Sequence, residues 1–350
     1  MQATPKTYVP ILKSKEGEYT SFPALDPNLR KMVMPLFEVL PFPSADADAD
    51  LTSVVVKLEK NLKTWPILFV DLALVAPSVR TTAGVHPVKF LFDALRPHRI
   101  NAVPVTGIGR STPYQKAVAE AVSKDNRGLC LRIKADEVDD DLSTKIDAVL
   151  AAIGCTPTDT HLILDFASIS KGGGAATALL ARTILAALPH LLSWKTLTVA
   201  GTAFPQSLAG VPADGEESIE RAEWTAWGRL RAGNLKRIPG FGDYTISHPE
   251  MVEFDPTKMS MSASIRYTSN GNWLCLKGRS TKKNGFGQFH TLSAKLIRRP
   301  EYAGAAFSLG DGYINDCAAR RAGPGNMTTW RRVGNVHHIT SIAGEIAKLP

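Results

Sequence analysis

The segment Pro239-Gly240-Phe241-Gly242-Asp243-Tyr244-Thr245-Ile246-Ser247-His248-Pro249 contains the last of eight strand-like runs in this sequence of 350 residues. The runs are short, rich in β-branched residues and mostly continuous rather than alternating. This pattern is typical of strands that are covered on both faces, as in a parallel sheet. The runs cover residues 8–12, 34–39, 66–72, 102–106, 128–133, 161–166, 196–200 and 244–246. Helix-like segments separate them, at a spacing of roughly 30 residues for each β-α-β unit.

Eight alternating units predict an α/β fold, a (β/α)8 TIM-like barrel, which usually takes about 250 residues. An open doubly wound sheet would alternate in the same way, but no G-x-G-x-x-G follows the first strand to mark a dinucleotide site. We expect the barrel to span residues 1–250 and residues 251–350 to form a basic extension packed on it. Within the extension, residues 263–278 predict a β-hairpin with its turn at Ser269-Asn270-Gly271-Asn272.

The composition is that of a soluble globular protein, with 44% hydrophobic and 21% charged residues. The N-terminus lacks the apolar region of a signal peptide, and the most apolar helical segment contains Arg182 and Pro189. We therefore expect a cytoplasmic protein without a membrane partner. The four cysteines are far apart in the chain, so neither a disulfide framework nor a CxxC metal knuckle is predicted.

Positive charge is concentrated in the last third of the chain. Residues 231–350 carry 17 lysines and arginines against 8 aspartates and glutamates, whereas the remaining residues carry 24 against 25. Basic residues interleaved with aromatic rings are typical of surfaces that hold phosphates and stack bases, so nucleic acid is an expected partner. The predicted nucleic-acid-binding residues are Lys277, Arg279, Lys282, Lys283, Phe289, Arg331 and Arg332. The simpler alternative is a solvated basic face whose aromatic residues form the core of the extension.

Polar residues recur where the predicted strands end, and in a barrel those ends meet at one mouth. The candidate catalytic residues are Lys13, Glu38, Asp71, Arg132, Asp165, Asp243, Tyr244 and His248. The alternative is that these charges pair with one another, for example Arg132 with Asp165.

If the mouth is catalytic, seven of the eight candidates have a chemical role. Glu38, Asp71 and Asp165 would hold a divalent ion, Mg²⁺ or Mn²⁺, because carboxylate oxygens suit these metals. Lys13 and Arg132 would stabilise charge that develops in the reaction. The proton donor would be His248 or Tyr244.

Two further motifs carry an expectation. Ser168-Ile169-Ser170-Lys171-Gly172-Gly173-Gly174 precedes a helix, where backbone N–H groups and a lysine can hold an anion; a flexible loop is the simpler interpretation. His337 and His338 are adjacent, so their side chains are expected to point to different sites.

Three stretches resemble the beta protein family, also called the phage T4 beta protein family. They are Tyr8-Val9-Pro10-Ile11-Leu12-Lys13 with Gly17-Glu18-Tyr19, Pro35-Leu36-Phe37-Glu38, and Phe241-Gly242-Asp243-Tyr244 with His248-Pro249. The tail, with Gly310-Asp311 and His337-His338-Ile339, is similar as well. The resemblance implies a role in phage–host conflict, because members of the family are phage or bacterial proteins, often from mobile or defence-related gene neighbourhoods. It supplies no catalytic residues.

These observations together lead us to expect a component of antiphage defence that binds nucleic acid and acts on phosphodiesters at the barrel mouth. One alternative is a non-catalytic recognition or scaffold protein that senses a phage protein or nucleotide signal and contacts an effector. Another is a small-molecule phosphodiesterase, which the three-glycine loop would suit. The fold alone does not decide whether the protein is an enzyme, since this barrel supports many chemistries.

Overall fold

In the computed structural model, eight parallel strands close into a barrel whose outer side is covered by helices. The structure describes residues 6–42, 46–250 and 261–349. The strands are β1 (Tyr8–Lys13), β2 (Leu36–Glu38), β3 (Leu68–Asp71), β4 (Ala102–Thr106), β5 (Leu129–Lys134), β6 (Thr160–Ser168), β7 (Thr196–Thr202), β8 (Glu216–Glu220), β9 (Gly240–Asp243), β10 (Ser262–Ser269) and β11 (Asn272–Ser280). The barrel runs from β1 to β7 in chain order and closes because β9 pairs in parallel with both β7 and β1. The predicted (β/α)8 TIM-like barrel is confirmed.

The helices alternate with the strands over most of the barrel. They are α1 (Glu16–Tyr19), α2 (Ala47–Leu62), α3 (Pro87–Leu95), α4 (Thr112–Asp125), α5 (Leu142–Ile153), α6 (Gly174–Ala187), α7 (Ala222–Ala232), α8 (Thr281–Asn284), α9 (Gln288–Leu296), α10 (Leu309–Ala318) and α11 (Met327–Ala347). None of the helices in the described ranges is long and apolar enough to cross a lipid bilayer.

The eighth helix of the barrel is α11, which comes from the far end of the chain. Its buried side chains, including Ile339, Ile342 and Ile346, belong to the same hydrophobic core as Leu12 on β1. The hairpin β10–β11 and helices α8, α9 and α10 are therefore inserted between the eighth strand and the eighth helix. A division of the chain at residue 250 assigns α11 to the extension, although it covers the barrel.

The extension is joined to the barrel through a shared sheet. Strand β8, which lies between β7 and α7, pairs in antiparallel fashion with β11, and β11 pairs with β10. The predicted hairpin is confirmed. Its turn residues Asn270 and Gly271 have φ angles of 47° and 76°, which is the left-handed backbone that an Asn-Gly turn between two strands requires.

The barrel strands are buried on both faces, which explains their continuous apolar sequences. On β1, Val9 and Ile11 face the barrel interior, whereas Tyr8 and Leu12 pack among the surrounding helices. The eighth strand lies before the run that the sequence predicts, because it covers Gly240–Asp243 and ends before residues 244–246. Thr245 has a φ of 56°, a conformation that a β-branched residue rarely adopts and that cannot continue a strand.

Candidate functional site

Inside the barrel, near the carboxyl ends of the strands, the guanidinium of Arg132 on β5 contacts three carboxylates. Its Nη1 donates to Glu38 Oε1 and to Asp71 Oδ2, each at 2.9 Å. Its Nε and Nη2 donate to Asp165 Oδ2 at 2.9 and 2.7 Å. All four side chains are buried. The charges at these strand ends therefore pair with one another, as the alternative interpretation holds, but they do so away from solvent.

Lys13 and Tyr244 extend this network, and Arg110 Nη2 lies 3.4 Å from the Asp71 carboxylate. The register of the strands places Lys13 beside Glu38, and the two side chains form a direct ion pair. The Tyr244 hydroxyl donates to Asp165 Oδ2 and accepts from Arg132 Nη2, both at 2.7 Å. Burial, more than any neighbouring charge, raises the pKa of Tyr244 well above its ordinary value. The phenol therefore keeps its proton near neutral pH, and that proton is already donated to Asp165.

The three carboxylates do not fit the Mg²⁺ or Mn²⁺ that the sequence suggests. One oxygen of Glu38 contacts Arg132 and the other contacts Lys13, so a cation bound to Glu38 would lie against two fixed positive charges, which repel it strongly in a buried site. Among residues 6–42, 46–250 and 261–349, no group of three or more histidine, cysteine, aspartate and glutamate side chains is arranged to hold a metal ion.

Aspartates at three strand ends have a shared structural role. Each accepts a hydrogen bond from the backbone N–H two residues further on: Asp71 from Ala73 at 2.9 Å, Asp165 from Ala167 at 2.8 Å and Asp243 from Thr245 at 3.0 Å. Aspartate side chains commonly stabilise turns in this way. The recurrence of aspartate near the strand ends is therefore explained in part by the turns that follow β3 and β9 and by the irregularity within β6 where Ala167 has a φ of 49°.

Asp243 faces the helix layer and not the barrel interior. Its Oδ1 accepts from the Tyr8 hydroxyl at 2.7 Å, and its Oδ2 lies 2.8 Å from His338 Nε2 on α11. Tyr244 is the next residue, and its side chain points to the opposite side, into the barrel. The acid and the phenol of this segment thus belong to two separate hydrogen-bond networks.

His248 lies at the barrel mouth and is partly exposed. Its Nδ1 accepts the backbone N–H of Glu250 at 3.1 Å, and its Nε2 lies 3.0 Å from Ser168 Oγ. Since Nδ1 is an acceptor, the ring proton is on Nε2. In this tautomer the ring cannot remove the proton of Ser168, but it can donate a hydrogen bond to an anion.

A cavity of about 520 Å³ opens beside His248. Its walls come from the segments after β1, β7 and β9, from the β10–β11 hairpin and from the first turns of α11. Its charged lining residues are Lys13, Lys15, Arg266, Lys277 and Arg331, against Glu18 and Glu250. We call this space the cationic cavity. It lies at the end of the barrel where (β/α)8 proteins hold their ligands.

Two arginines form one wall of the cationic cavity. Arg266 is held by a hydrogen bond from Nη1 to the Ile246 carbonyl at 2.7 Å and by the Phe204 ring, 4.8 Å from its guanidinium carbon. Burial, followed by the positive charge of Arg331, lowers the pKa of Arg266 to about 9. Arg331 in turn donates to the Ser247 hydroxyl. An anion between these two guanidinium groups would relieve their mutual repulsion.

Glu18 is the buried acid of this cavity. It is 2% exposed, its Oε1 lies 3.9 Å from Arg331 Nη1, and its Oε2 has no hydrogen-bond partner among the described residues. Burial raises the pKa of Glu18, although Arg331 and Lys15 act in the opposite direction. In its ionised form the carboxylate offsets part of the positive charge of the cavity.

The predicted nucleic-acid-binding residues do not form one surface. Lys277 directs its ammonium to the backbone carbonyls of Leu208 and Val211, each at 2.7 Å. Phe289 is buried and stacks on Trp330 with ring centres 4.4 Å apart. The prediction that Phe289 stacks on a base does not fit this position, because its ring belongs to the core of the extension.

The other predicted cations divide into two groups. Lys282, Lys283 and Arg332 are exposed, and Arg279 is exposed but pairs with Asp214 at 2.5 Å. Arg331 lines the cationic cavity. Binding of nucleic acid by these five side chains stays a prediction.

The three-glycine loop before α6 has a packing role. A Cβ atom at Gly174 would lie 2.8 Å from the carbonyl oxygen of Ala222 on α7, and one at Gly173 would lie 2.7 Å from Ser170 Oγ. Lys171 points to solvent and lies 3.5 Å from Glu217. Gly174 thus allows α6 to approach α7, Gly173 fits beside Ser170, and Gly172 adopts a φ of 73°, which accounts for all three without a phosphate.

Sequence reasoning missed Lys15, Glu18 and Arg266, which line the cavity. A signal existed for Glu18, since it stands within Gly17-Glu18-Tyr19, one of the stretches that carry the family resemblance. Arg266 had no such signal, because it is one of several polar residues that alternate along β10.

Comparison with known proteins identifies one family that covers both the barrel and the extension. The family model described as Beta protein matches residues 8–344, nearly the whole chain. The match includes the barrel, the inserted extension and most of α11. The comparisons with curated proteins and with solved structures found no match. The chain belongs to the beta protein family.

Proposed function

We propose that the protein binds nucleic acid at the mouth of its barrel, with a phosphate group held in the cationic cavity. The observation that carries the proposal is the charge of that cavity, in which five cationic side chains stand against two carboxylates. Phosphate contacts supply most of the sequence-independent affinity for nucleic acid. Arginine forks are suited to phosphate oxygens because they can donate two parallel hydrogen bonds.

The exposed cations of the extension fit the same proposal. Lys282 and Lys283 lie on the short helix α8, which directly follows β11 of the hairpin. They add positive charge outside the cavity that can attract a polyanion before it reaches the mouth. In this proposal the extension steers the strand and the cationic cavity holds it.

We place this binding in phage–host conflict, on the ground of the family resemblance. A protein of that kind would act on phage or host nucleic acid during infection. The measurement is phage propagation on cells that carry the wild-type protein or a cavity variant. Equal propagation with and without the wild-type protein would contradict this role.

A second candidate function is recognition without chemistry, in which the barrel senses a phage component and contacts an effector. The observation that favours it is the Arg132 network, whose carboxylates are buried and paired. Action on a phosphodiester would have to rely on His248, whose Nε2–H faces Ser168 at the mouth. Conversion of a bound oligonucleotide, followed by gel electrophoresis, separates the two: cleavage that requires His248 would overturn recognition alone.

The experiment for the proposed function is a titration of a labelled single-stranded oligonucleotide with the full chain at several salt concentrations. A plot of the logarithm of the binding constant against the logarithm of the salt concentration should be a falling straight line. Its slope should be about −0.7 for each phosphate contacted. Lys15→Gln should weaken binding and flatten this dependence, because Lys15 lines the cavity.

Lys116→Gln is the matched control, since Lys116 is exposed on α4, outside the lining of the cationic cavity. It should leave affinity and salt dependence unchanged. Absence of binding at low salt, or equal effects of the two variants, would overturn the proposal.

A further inference from the structure

We infer that the cationic cavity takes a phosphomonoester carried on a nucleoside, as at the end of a strand, rather than a phosphodiester inside a strand. This inference rests on the proposed function, because it names the part of a nucleic acid that the same site holds. Three observations carry it: the excess of positive charge, the closed floor of the cavity and a compartment beside the arginines that is lined in part by apolar side chains.

The charge of the cavity suits a dianion. A phosphomonoester carries about −1.5 to −2 charges near neutral pH and presents three free oxygens, whereas a phosphodiester carries one charge and presents two. Arg266 and Arg331 line the same wall. Two guanidinium forks can use all three free oxygens of a monoester, and Lys15 adds a further positive charge to the lining.

The floor of the cavity is closed. Lys13 and Glu18, which line it, are 5% and 2% exposed, and the Lys13 ammonium is paired with Glu38. Apolar side chains such as Ile11 and Ile163 fill the barrel interior. The end of a strand can enter such a space directly, whereas an internal phosphate can reach the floor only if the strand turns back on itself.

A compartment of about 190 Å³ adjoins the cationic cavity and shares Arg266 and Arg331 with it. Its apolar lining includes Ile246, Met327 and Trp330, side chains of the kind that contact the faces or edges of bases. Gly17 sets one wall, because a Cβ atom there would lie 2.6 Å from the carbonyl oxygen of Thr328 on α11. The compartment is placed to hold the base of the nucleotide whose phosphate lies between the arginines.

Substitution of Glu18 tests the inference through an expected gain in affinity rather than a loss. Its carboxylate lines the cationic cavity and lies 3.9 Å from Arg331, so it competes with a bound phosphate for the same guanidinium. Glu18→Gln removes the negative charge and keeps the size of the side chain. This variant should bind a terminal phosphate more tightly than the wild type does.

The experiment compares single strands of one sequence that differ only at their ends: a 5′-phosphate, a 3′-phosphate, hydroxyls at both ends, and a covalently closed circle. One phosphorylated form should bind about tenfold more tightly than the circle, since charge-assisted hydrogen bonds are lost without the terminal phosphate. A nucleoside monophosphate should compete with the bound strand, and inorganic phosphate should compete much less.

Three variants complete the test. Arg331→Gln should abolish the preference for the phosphorylated end, Glu18→Gln should increase it, and Arg298→Gln, which alters an exposed arginine of the extension outside the cavity lining, should leave it unchanged. General misfolding cannot produce opposite effects in the first two. Equal binding of the circle and the phosphorylated strand, or a preference that survives Arg331→Gln, would overturn this inference while the proposed function stands. Failure of every strand to bind would overturn the proposed function itself.

Discussion

The imidazole of His338 and the carboxylate of Asp243 lie 2.8 Å apart, both fully buried, although 95 positions separate them in the chain. Burial lowers the pKa of His338, so the neutral ring donates from Nε2 to Asp243 and accepts at Nδ1 from the Thr268 hydroxyl, 2.6 Å away. Thr268 belongs to β10. One chain of hydrogen bonds therefore joins the last barrel strand, the last helix and the inserted extension.

Replacement of Asp243 should cost a large part of the stability of the fold. Asp243→Ala leaves the Tyr8 hydroxyl, the His338 N–H and the Thr245 N–H without their acceptor, and we expect a loss of about 3–5 kcal/mol. Urea-induced unfolding followed by circular dichroism measures it.

Asp316→Ala is the control for this change. Asp316 is 48% exposed at its side chain and pairs with Arg321 at the surface, so its loss should cost less than about 1 kcal/mol. Similar unfolding midpoints for the two variants would contradict the structural role of Asp243.

Arg132 should tolerate no substitution, including lysine. Its planar guanidinium contacts Glu38, Asp71 and Asp165 at once, and a lysine ammonium cannot reproduce that planar geometry. Arg132→Lys should therefore destabilise the protein by about 3 kcal/mol or more, because the buried carboxylates lose most of their charge-assisted hydrogen bonds to the guanidinium. Arg321→Lys, in an exposed ion pair with Asp316, should be nearly neutral. For the same reason, alanine substitution of the three acids does not test catalysis. The variants would lose activity because they lose stability.

The barrel could be predicted from the sequence because its signal is local. Each strand is covered on both faces, so each appears as a short apolar run that needs no knowledge of its neighbours. The sequence does not predict strand β8, because Glu216, Glu217 and Glu220 are charged and only Ile219 is a buried apolar residue. The place of α11 as the eighth barrel helix also escaped, because nothing in the local pattern shows that an insertion separates it from β9.

The candidate site was predictable in position but not in chemistry. Glu38, Asp71 and Asp165 do converge inside the barrel, as strand ends in this fold must. Their partner is set by the length and direction of the Arg132 side chain, which spacing along the chain does not reveal. The cationic cavity depends on Arg266 and Arg331, which come from the extension and α11, and it exists only after distant segments have packed together.

Tyr244→Phe tests whether the phenol acts on a ligand or only within the protein. The hydroxyl contacts Arg132 and Asp165, so its removal should cost about 1–2 kcal/mol of stability. Oligonucleotide affinity should stay unchanged, because the remaining network still holds Lys13 in place. A loss of affinity with unchanged stability would instead indicate direct contact with the ligand. Denaturation and binding assays on one preparation provide both values.

The contribution of His161 to the stability of the protein should decrease in weak acid. Its Nδ1 lies 2.9 Å from the Thr196 hydroxyl, its Nε2 has no partner among the described residues, and burial lowers its pKa from 6.5 to about 3. Between these two values the unfolded chain binds a proton that the folded protein does not, so stability falls as the pH drops below 6.5. The loss should reach about 2 kcal/mol at about pH 5, relative to about pH 7.5.

His161→Gln removes this titration and keeps a polar group near Thr196. The difference between wild type and variant isolates His161 from Glu223, whose pKa is raised by burial to about 7 and which acts in the opposite direction. Chemical denaturation at a series of pH values gives both curves. Parallel curves for the two proteins would refute the assignment.

Substitutions of Lys282 and Phe289 distinguish a residue that attracts nucleic acid at the surface from a residue that stabilises the fold of the extension. Lys282 is exposed on α8, so Lys282→Gln should leave the free energy of unfolding within about 0.5 kcal/mol of the wild type. It should weaken oligonucleotide binding at low salt and have little effect at high salt, because only a screened, long-range attraction is lost.

Phe289 is fully buried against Trp330, so Phe289→Ala should cost about 3–5 kcal/mol. The decisive comparison is binding under conditions in which both variants are folded. If Phe289→Ala then loses affinity at every salt concentration while Lys282→Gln does not, the ring contributes to binding, and its assignment to the core of the extension alone would be wrong.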